Sequence, residues 1–239
     1  MAPQQHLQWF DENIGWFEDL PVECLDAAVP NCPGWVVTDV FNHLSLGLGL
    51  AYPMAVAAPP TATATEAFAD MSAPETAPTG AAAIGAFSAN MRSCLGSFRT
   101  VDPDRPCWTY PGPGTARFWI RRAAIETAVH RIDVEEALAD SPSPLRPDRA
   151  VDAIAEAVEF VLPLAAELTD GPAGRLNISS PELDLRLQLG TGPRQAGIMG
   201  SGQAVLNALW GRPTVVEVSG DRGLADEWLS LVERAFAGR

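Results

Sequence analysis

The sequence predicts an α+β protein, in which an N-terminal four-helix bundle is followed by a small α+β domain. Four stretches before residue 140 carry apolar residues at every third or fourth position, the pattern of amphipathic helices. After residue 180, leucines alternate with polar residues, which is typical of a strand with one solvated face. A chain of 239 residues has room for two separate cores. We therefore assign residues 1–145 to the bundle and residues 146–239 to the second domain.

The helices of the bundle are predicted from apolar spacing and from the residues that end them. The first helix ends at Pro21, because proline cannot continue a helix. Its apolar stripe consists of Leu7, Phe10, Ile14, Phe17 and Leu20. The second helix is expected to start after Gly34 and to run past Leu48. The third occupies residues 81–98, and the fourth runs over residues 115–139.

Two stretches between these helices are predicted to be irregular. Residues 57–79 are rich in Pro, Ala and Thr, which indicates a long connection. Residues 102–114 hold four prolines and two glycines, so a loop is expected there. Residues 141–147 close the region. Four helices with one long crossover are typical of a helical bundle.

The second domain is expected to begin with a bridging helix over residues 149–168. Residues 176–189 are predicted to be a strand, since Leu183, Leu185, Leu187 and Leu189 alternate with polar residues. After a turn at residues 190–193, further elements are expected. These are a strand at 195–199, a helix at 203–210, a strand at 214–218 and a helix at 225–236. We expect the helices to cover one face of the sheet.

The charge of the chain excludes several kinds of function. The formal net charge is −14, and all 16 basic residues are arginines. Without lysine, neither a P-loop lysine nor Schiff-base chemistry is available. The acidity argues against a nucleic-acid partner, because phosphate binding depends on clustered basic residues. It fits a role in solubility instead.

No membrane or secretion signal is expected from the sequence. The longest apolar stretch, residues 44–60, is broken by glycines and prolines before it reaches the ~18 residues that cross a bilayer. The N-terminus lacks the basic patch and apolar core of a signal peptide. A cytoplasmic location follows as the expectation. Four widely spaced cysteines without a CxxC pair are then expected to be structural thiols rather than zinc ligands; they are Cys24, Cys32, Cys94 and Cys107.

Three residues on two predicted helices are candidates for a metal site. Glu126 and His130 are four positions apart, so on a helix they project from the same face about 5–6 Å apart. His43, on the second helix, would add a second imidazole from a facing element and leave further coordination positions open. The alternative stays open at this point. Such a Glu–His pair is also common on helix surfaces, and a single helix histidine usually finds an ordinary hydrogen-bond partner.

Two motifs resemble a known family. The segment CPGWVVTDVFNHL at residues 32–44 and the segment FWIRRAAIETAVHRID at residues 118–133 are similar to signatures of the mycothiol-dependent maleylpyruvate isomerase family, a branch of the DinB-like metal proteins. A weaker resemblance to the small C-terminal domain of that family lies in LWGR at residues 209–212 and SGD at residues 219–221. These motifs cover both halves of the chain in the order of the family.

The resemblance implies a DinB-like bundle in which His43, Glu126 and His130 bind a divalent metal, usually zinc. It also implies mycothiol as co-substrate and a small electrophilic molecule as substrate. The thiolate would either isomerise a cis double bond or be transferred to the electrophile. Arg212 matches an arginine of the family and is a candidate for binding a substrate carboxylate, although a surface role is the alternative. Ile125 stands where the family usually has a histidine, so we expect a changed neighbour of the ligands rather than a lost site, and the family's substrate does not carry over to this chain.

A non-catalytic protein that binds the metal and a thiol is the second hypothesis, and a monomer or homodimer is expected. Several neighbouring residues have two readings. Asp133 either orients His130 or pairs with Arg131 or a neighbouring helix. Cys32 is expected to pack the loop before the second helix. Core positions are expected for Trp35 and Trp119, the latter with a possible place at the pocket wall, and a solvated or ion-paired helix face for Arg121 and Arg122.

Overall fold

The structure, a computed structural model, describes residues 1–72, 76–138 and 142–236. It confirms the α+β class, with a helical first part and a small mixed sheet in the second. The chain divides into two compact units, Met1–Ser143 and Pro144–Arg239. The predicted boundary at residue 145 lies two positions beyond this division.

The first unit is a four-helix bundle. Its helices are α1 (Pro3–Glu18), α2 (Val37–Leu44), α3 (Ala51–Ala57), α4 (Ala64–Ala67), α5 (Ala81–Thr100) and α6 (Ala116–Leu138). Helices α2 and α3 are continuous and together make one of the four long members, while α4 is a short turn within the predicted connection. Helix α1 packs against α5 and α6, and α2 packs against the same two helices. At the centre, Phe17, Phe41 and Phe87 contact one another with ring centroids 4.9–5.4 Å apart.

The helical span Val37–Ala57 passes through a π-helical turn, Ser45–Leu50. The expected break in this apolar stretch is therefore wrong. Within the turn the Ala51 N–H bonds to Leu46 O, five residues back, and the chain continues into α3 despite Pro53. A Cβ at Gly49 would lie 2.7 Å from Asn90 Cβ, so the glycine allows the helix to approach α5 closely.

By length and composition this span could cross a membrane, and among the described residues it is the one span that could. More than half of its most apolar window, 56%, is buried inside the protein. Core helices of soluble proteins have the same character, so the span is weak evidence for a membrane segment.

The predicted loop at residues 102–114 contains a hairpin. Strands β1 (Pro106–Thr109) and β2 (Gly112–Thr115) pair antiparallel, and Gly112 adopts a φ of +121° that favours glycine. Prolines are tolerated because each strand of a two-stranded ribbon has an outer edge where no N–H is needed. The prediction of a loop is therefore wrong for residues 106–115, which form a hairpin.

The second unit pairs a four-stranded sheet with helices. Its helices are α7 (Pro147–Glu156), α8 (Leu162–Thr169), α9 (Gly202–Leu209), α10 (Arg222–Leu229) and α11 (Leu231–Phe236). Its strands are β3 (Arg175–Ser180), β4 (Leu185–Leu189), β5 (Gln195–Met199) and β6 (Glu217–Gly220). The spatial order is β4-β3-β5-β6, with β3 and β5 parallel and the outer pairs antiparallel. Helices α9 and α10 contact the sheet, one face of which is buried through Leu176, Ile178, Ala196 and Ile198.

Three predictions in this unit need correction. Residues 176–189 form two antiparallel strands rather than one, because the chain turns at Pro181–Leu183 and Asp184 adopts a left-handed conformation. The last strand begins at Glu217 instead of Thr214. The final helix is divided at Ser230, which ends α10.

Candidate metal centre

His43, Glu126 and His130 meet inside the bundle. Helix α2 supplies His43, and α6 supplies the other two from consecutive turns of one face. One ligand atom from each residue lies within 4.8 Å of the others. His43 Nε2 is 3.2 Å from Glu126 Oε1, and the two imidazole centroids are 4.9 Å apart. The packing of α2 on α6 thus brings together side chains that are 83 positions apart in sequence.

Glu126 is buried, and its carboxylate is surrounded by a positively charged group and by hydrogen-bond donors. Its Oε2 lies 2.9 Å from Arg122 Nη2, one turn earlier on α6, and accepts a hydrogen bond from the Tyr52 hydroxyl. Burial would raise the pKa of Glu126, but the charge of Arg122 and the contacts with His43 and His130 outweigh burial and lower it. Glu126 is therefore a carboxylate at neutral pH. The pKa of Tyr52 is raised by burial and by Glu126, so its hydroxyl stays protonated as a donor.

His130 is paired with a second buried carboxylate. Its Nδ1 lies 3.0 Å from Asp133 Oδ2, and the Cys32 thiol donates to the same oxygen across 3.6 Å. Of the two readings of Asp133, the structure shows the contact with His130, because Arg131 pairs instead with Glu135 at 2.7 Å. A carboxylate on Nδ1 favours the tautomer that leaves Nε2 as the ligating nitrogen. Cys32, His130 and Asp133 also form a ligand-like group, which shares His130 with the first.

An indole covers the two imidazoles. The Trp35 ring is stacked on His130 with centroids 6.2 Å apart and tilted on His43 at 5.2 Å. Trp35 is only half-buried, so the expected core position is wrong for this residue. Trp119 is fully buried as expected, and its ring lies 4.6 Å from that of Tyr52.

Sequence reasoning missed Tyr52 because the helix that carries it is not regular. Tyr52 follows His43 by nine positions, and in an α-helix nine residues at about 100° each end on the opposite face. The π turn Ser45–Leu50 lies between them and absorbs one extra residue, which reduces the angle to about 80°. Both side chains therefore reach the same carboxylate. The glycines and the later proline of this stretch were the available signal of an irregular helix.

Arg122 was expected on a solvated or ion-paired helix face, and the structure distinguishes these two alternatives. Its side chain is 8% exposed and bonds to Glu126, as four-residue spacing allows. The ion-paired alternative is the one that the structure bears out for this residue.

Arg212 lies in the second unit. Its Nη1 donates to Trp210 O at 2.8 Å, and its guanidinium carbon lies 5.7 Å from the centre of the Trp210 ring. All four cysteines are free thiols, as expected.

The donor set fits a divalent transition metal of the zinc type. Two imidazoles and one carboxylate are ligands that zinc accepts, and three protein ligands leave a coordination position for water or substrate. Structural zinc sites are usually closed by a fourth protein ligand. The arrangement can therefore support catalysis as well as binding.

Comparisons with known proteins identify the fold and the family. Two crystal structures of a mycothiol-dependent maleylpyruvate isomerase, one of them a mutant in which a histidine is replaced by alanine, share the fold. Their TM-scores are 0.62 and 0.61 at 14% and 15% identity, and each alignment covers 92% of this chain and 95% of the other. No curated protein matches the sequence. The sequence profile described as the mycothiol maleylpyruvate isomerase N-terminal domain matches residues 7–135, more than half of the chain. Since that match spans α1 to α6 and all three candidate ligands, the chain belongs to the mycothiol maleylpyruvate isomerase family.

Proposed function

We propose that this protein is a metal-dependent enzyme that uses mycothiol, with His43, Glu126 and His130 holding a divalent ion of the zinc type. The observation that carries the proposal is the meeting of three suitable donor atoms within 4.8 Å in a member of this family. When bound, such an ion supplies a Lewis acid that favours the thiolate form of a thiol at neutral pH.

The residues around the ligands are suited to keep the donors in their ligating forms. The lowered pKa of Glu126 keeps its carboxylate ionised. Asp133 Oδ2 lies 3.0 Å from His130 Nδ1, a contact that favours the other ring nitrogen as the ligand. Trp35 shields both imidazole rings on one side. These contacts reduce the rearrangement that metal binding requires.

The reaction begins with a thiolate of mycothiol as nucleophile. Its sulfur attacks an electrophilic carbon of a small-molecule substrate. In an isomerisation, the attacked carbon belongs to a cis double bond, rotation follows about the resulting single bond, and elimination returns the thiolate and the trans product. In a transfer, the carbon–sulfur bond is kept. Either the carbanion formed by addition takes up a proton, or a leaving group such as chloride departs with its electron pair, and the conjugate is released. We propose that one of these two reactions is the activity.

Arg212 is proposed as the residue that binds a carboxylate of the substrate. A guanidinium can pair with both oxygens of a carboxylate in parallel, a geometry that lysine cannot provide. Arg212→Lys should therefore raise KM for a carboxylate substrate and leave the metal content unchanged. If the wild type and Arg212→Lys have equal kcat/KM, Arg212 does not bind the substrate.

We further propose a cytoplasmic protein that acts as a monomer or homodimer on small molecules. The net charge of −14 is unfavourable for binding nucleic acid or an anionic membrane surface. Size-exclusion chromatography with light scattering tests the oligomeric state directly.

The central experiment measures metal and turnover in one preparation. The protein is purified without a histidine tag after growth with zinc, and bound metal is quantified by mass spectrometry. Mycothiol is then added with either maleylpyruvate or monochlorobimane, and product is followed. The proposal expects bound zinc near one ion per chain and turnover that requires mycothiol with one of the two substrates.

His43→Ala tests the ligand assignment. His6→Gln is its control, because His6 is buried on α1 and is the one histidine of the chain that is not a candidate ligand. His43→Ala should lose the metal while its helical circular dichroism stays intact, and His6→Gln should keep the metal. A wild-type protein without metal contradicts the proposed centre. Bound metal without activity on either substrate favours a non-catalytic metal- and thiol-binding protein.

A further inference from the structure

The two oxygens of Glu126 have different surroundings. Oε1 lies 3.2 Å from His43 Nε2. Oε2 is bonded to the Arg122 guanidinium at 2.9 Å and to the Tyr52 hydroxyl. A carboxylate oxygen has room for about two such donors. Oε2 is therefore occupied by protein groups, whereas Oε1 remains directed at the imidazole.

The two donors to Oε2 come from different elements and are shielded from water. Arg122 lies on α6 one turn before Glu126, and Tyr52 lies on α3 beyond the π turn. The relative exposures of the two residues are 7% and 5%. Tyr52 is packed on the buried Trp119 ring, which limits the positions that its hydroxyl can take. Hydrogen bonds in such surroundings do not exchange readily with water and hold the carboxylate in one orientation.

We propose that Tyr52 and Arg122 are positioning residues that occupy Oε2 of Glu126 and so make Glu126 a metal ligand through Oε1 alone. This inference rests on the proposed metal centre and adds how its carboxylate is used. Neither residue touches the ion or the substrate. Both act through the glutamate.

One-oxygen ligation affects what the centre can bind. A zinc ion held by two nitrogens and one oxygen keeps a fourth position for the thiol. If Oε2 also bound the ion, it would compete for that position. The two contacts that Oε2 makes with Arg122 and Tyr52 thus favour a centre whose fourth coordination position stays available to the thiol.

The test compares Tyr52→Phe with Thr127→Val. Each change removes one buried hydroxyl, but that of Tyr52 donates to Glu126 Oε2, whereas that of Thr127, the residue after Glu126 on α6, donates to Ala123 O at 2.7 Å. Zinc affinity is measured by competition with a chromophoric chelator, and Co²⁺ is titrated into each protein to record its visible absorption. A four-coordinate Co²⁺ ion absorbs visible light far more strongly than a five- or six-coordinate one. The spectrum therefore reports the coordination, which a general loss of stability would not change.

Tyr52→Phe should lower zinc affinity by about 10–100-fold, the usual effect of removing a partner of a metal ligand. Its Co²⁺ absorption should weaken, because Oε2, then held by Arg122 alone, gains a lone pair that can reach the ion and raise the coordination number. Thr127→Val should match the wild type in both measurements. Wild-type affinity and an unchanged Co²⁺ spectrum in Tyr52→Phe would overturn the inference while leaving the metal centre in place. A wild-type protein that binds neither ion would overturn both.

A second measurement needs no variant. A crystal structure of the zinc-loaded wild-type protein should place Glu126 Oε1 at about 2.0–2.2 Å from the ion, with Oε2 still bonded to Tyr52 and Arg122. Both oxygens at ligating distance would contradict the inference. This result remains decisive if Tyr52→Phe does not fold.

Discussion

Asp133 Oδ2 lies 3.0 Å from His130 Nδ1, on the turn of α6 that follows the histidine. Asp133 is completely buried, so its charge acts on the imidazole with little screening. The same oxygen accepts the Cys32 thiol at 3.6 Å. The carboxylate therefore joins the CPGW loop to the candidate metal centre.

Asp133→Asn should weaken zinc binding by about 10–100-fold, because the amide has the same size as the carboxylate but no longer carries the charge beside His130 that makes the imidazole a better ligand. Competition with a chelator measures the affinity. Asp70→Asn, an exposed position with the same change of charge, is the control and should have no effect. Equal affinities for the two variants would show that Asp133 does not assist His130.

Gly49→Ala should destabilise the bundle by about 1–3 kcal/mol, the usual cost of overpacking a core. The added Cβ would lie 2.7 Å from Asn90 Cβ and 3.0 Å from the Asn90 carbonyl carbon, which belongs to backbone and cannot move alone. In the same π turn, a Cβ at Gly47 meets nothing closer than His43 Cε1 at 4.0 Å. Urea unfolding should therefore find Gly47→Ala as stable as the wild type. A similar loss in both variants would mean that the turn itself rejects a side chain.

Glu18→Gln should reduce the free energy of unfolding by up to about 1 kcal/mol at pH 7. Arg92 donates to both oxygens of Glu18, and Ser88 donates to one of them, which lowers the pKa of Glu18 although burial opposes the shift. A carboxylate with a lowered folded-state pKa contributes stability above its unfolded value of about 4.3. That contribution disappears as the pH falls through the folded-state pKa.

The difference between wild type and Glu18→Gln should accordingly shrink when urea unfolding is repeated at pH 3. Glu12→Gln, at an exposed position on the same helix, is the control and should show a smaller difference at pH 7. A loss in Glu18→Gln that is independent of pH would point to packing rather than charge.

Thiol labelling should separate the four cysteines into two classes. Cys94 and Cys107 are buried, and burial raises the pKa of both thiols, so a thiol reagent should reach them only after unfolding. Cys24 and Cys32 are half-buried and should react in the native protein. Mass spectrometry of the labelled peptides identifies the sites. Equal labelling rates at all four positions would contradict the buried placement of Cys94 and Cys107.

Regular elements were predictable because local rules determine them. Apolar spacing located α1, α5 and α6 within a few residues, and the pairing of Glu126 with His130 follows from helix geometry alone. His43 was already a candidate from its place on the second helix, but no spacing rule connects it to α6, and the resemblance to a family supported joining the three residues in one site. The hairpin at residues 106–115 was missed, because prolines that usually mark loops also fit the edges of a two-stranded ribbon.

The surroundings of the ligands were harder to predict. Arg122 was expected on a solvated or ion-paired helix face, as arginines usually are. In the structure it is paired with Glu126, and the pair is buried. Tyr52 could be placed beside His43 only if the helix between them was known to be irregular. Contacts of this kind depend on tertiary packing, which a single sequence does not display.

The π turn also has a consequence for comparing related chains. It behaves as a one-residue insertion that the helix has absorbed. In a relative with a regular helix, the tyrosine would have to lie eight positions after the histidine for both side chains to reach the carboxylate. Eight residues at about 100° each separate two side chains by about 80° around the helix axis, the same angle as between His43 and Tyr52 here. An ungapped alignment of two such chains would pair Tyr52 with a residue that faces elsewhere. By the same reasoning, one residue of Ser45–Leu50 can be deleted without turning Tyr52 away from Glu126, whereas a deletion between Glu126 and His130 would separate the ligands.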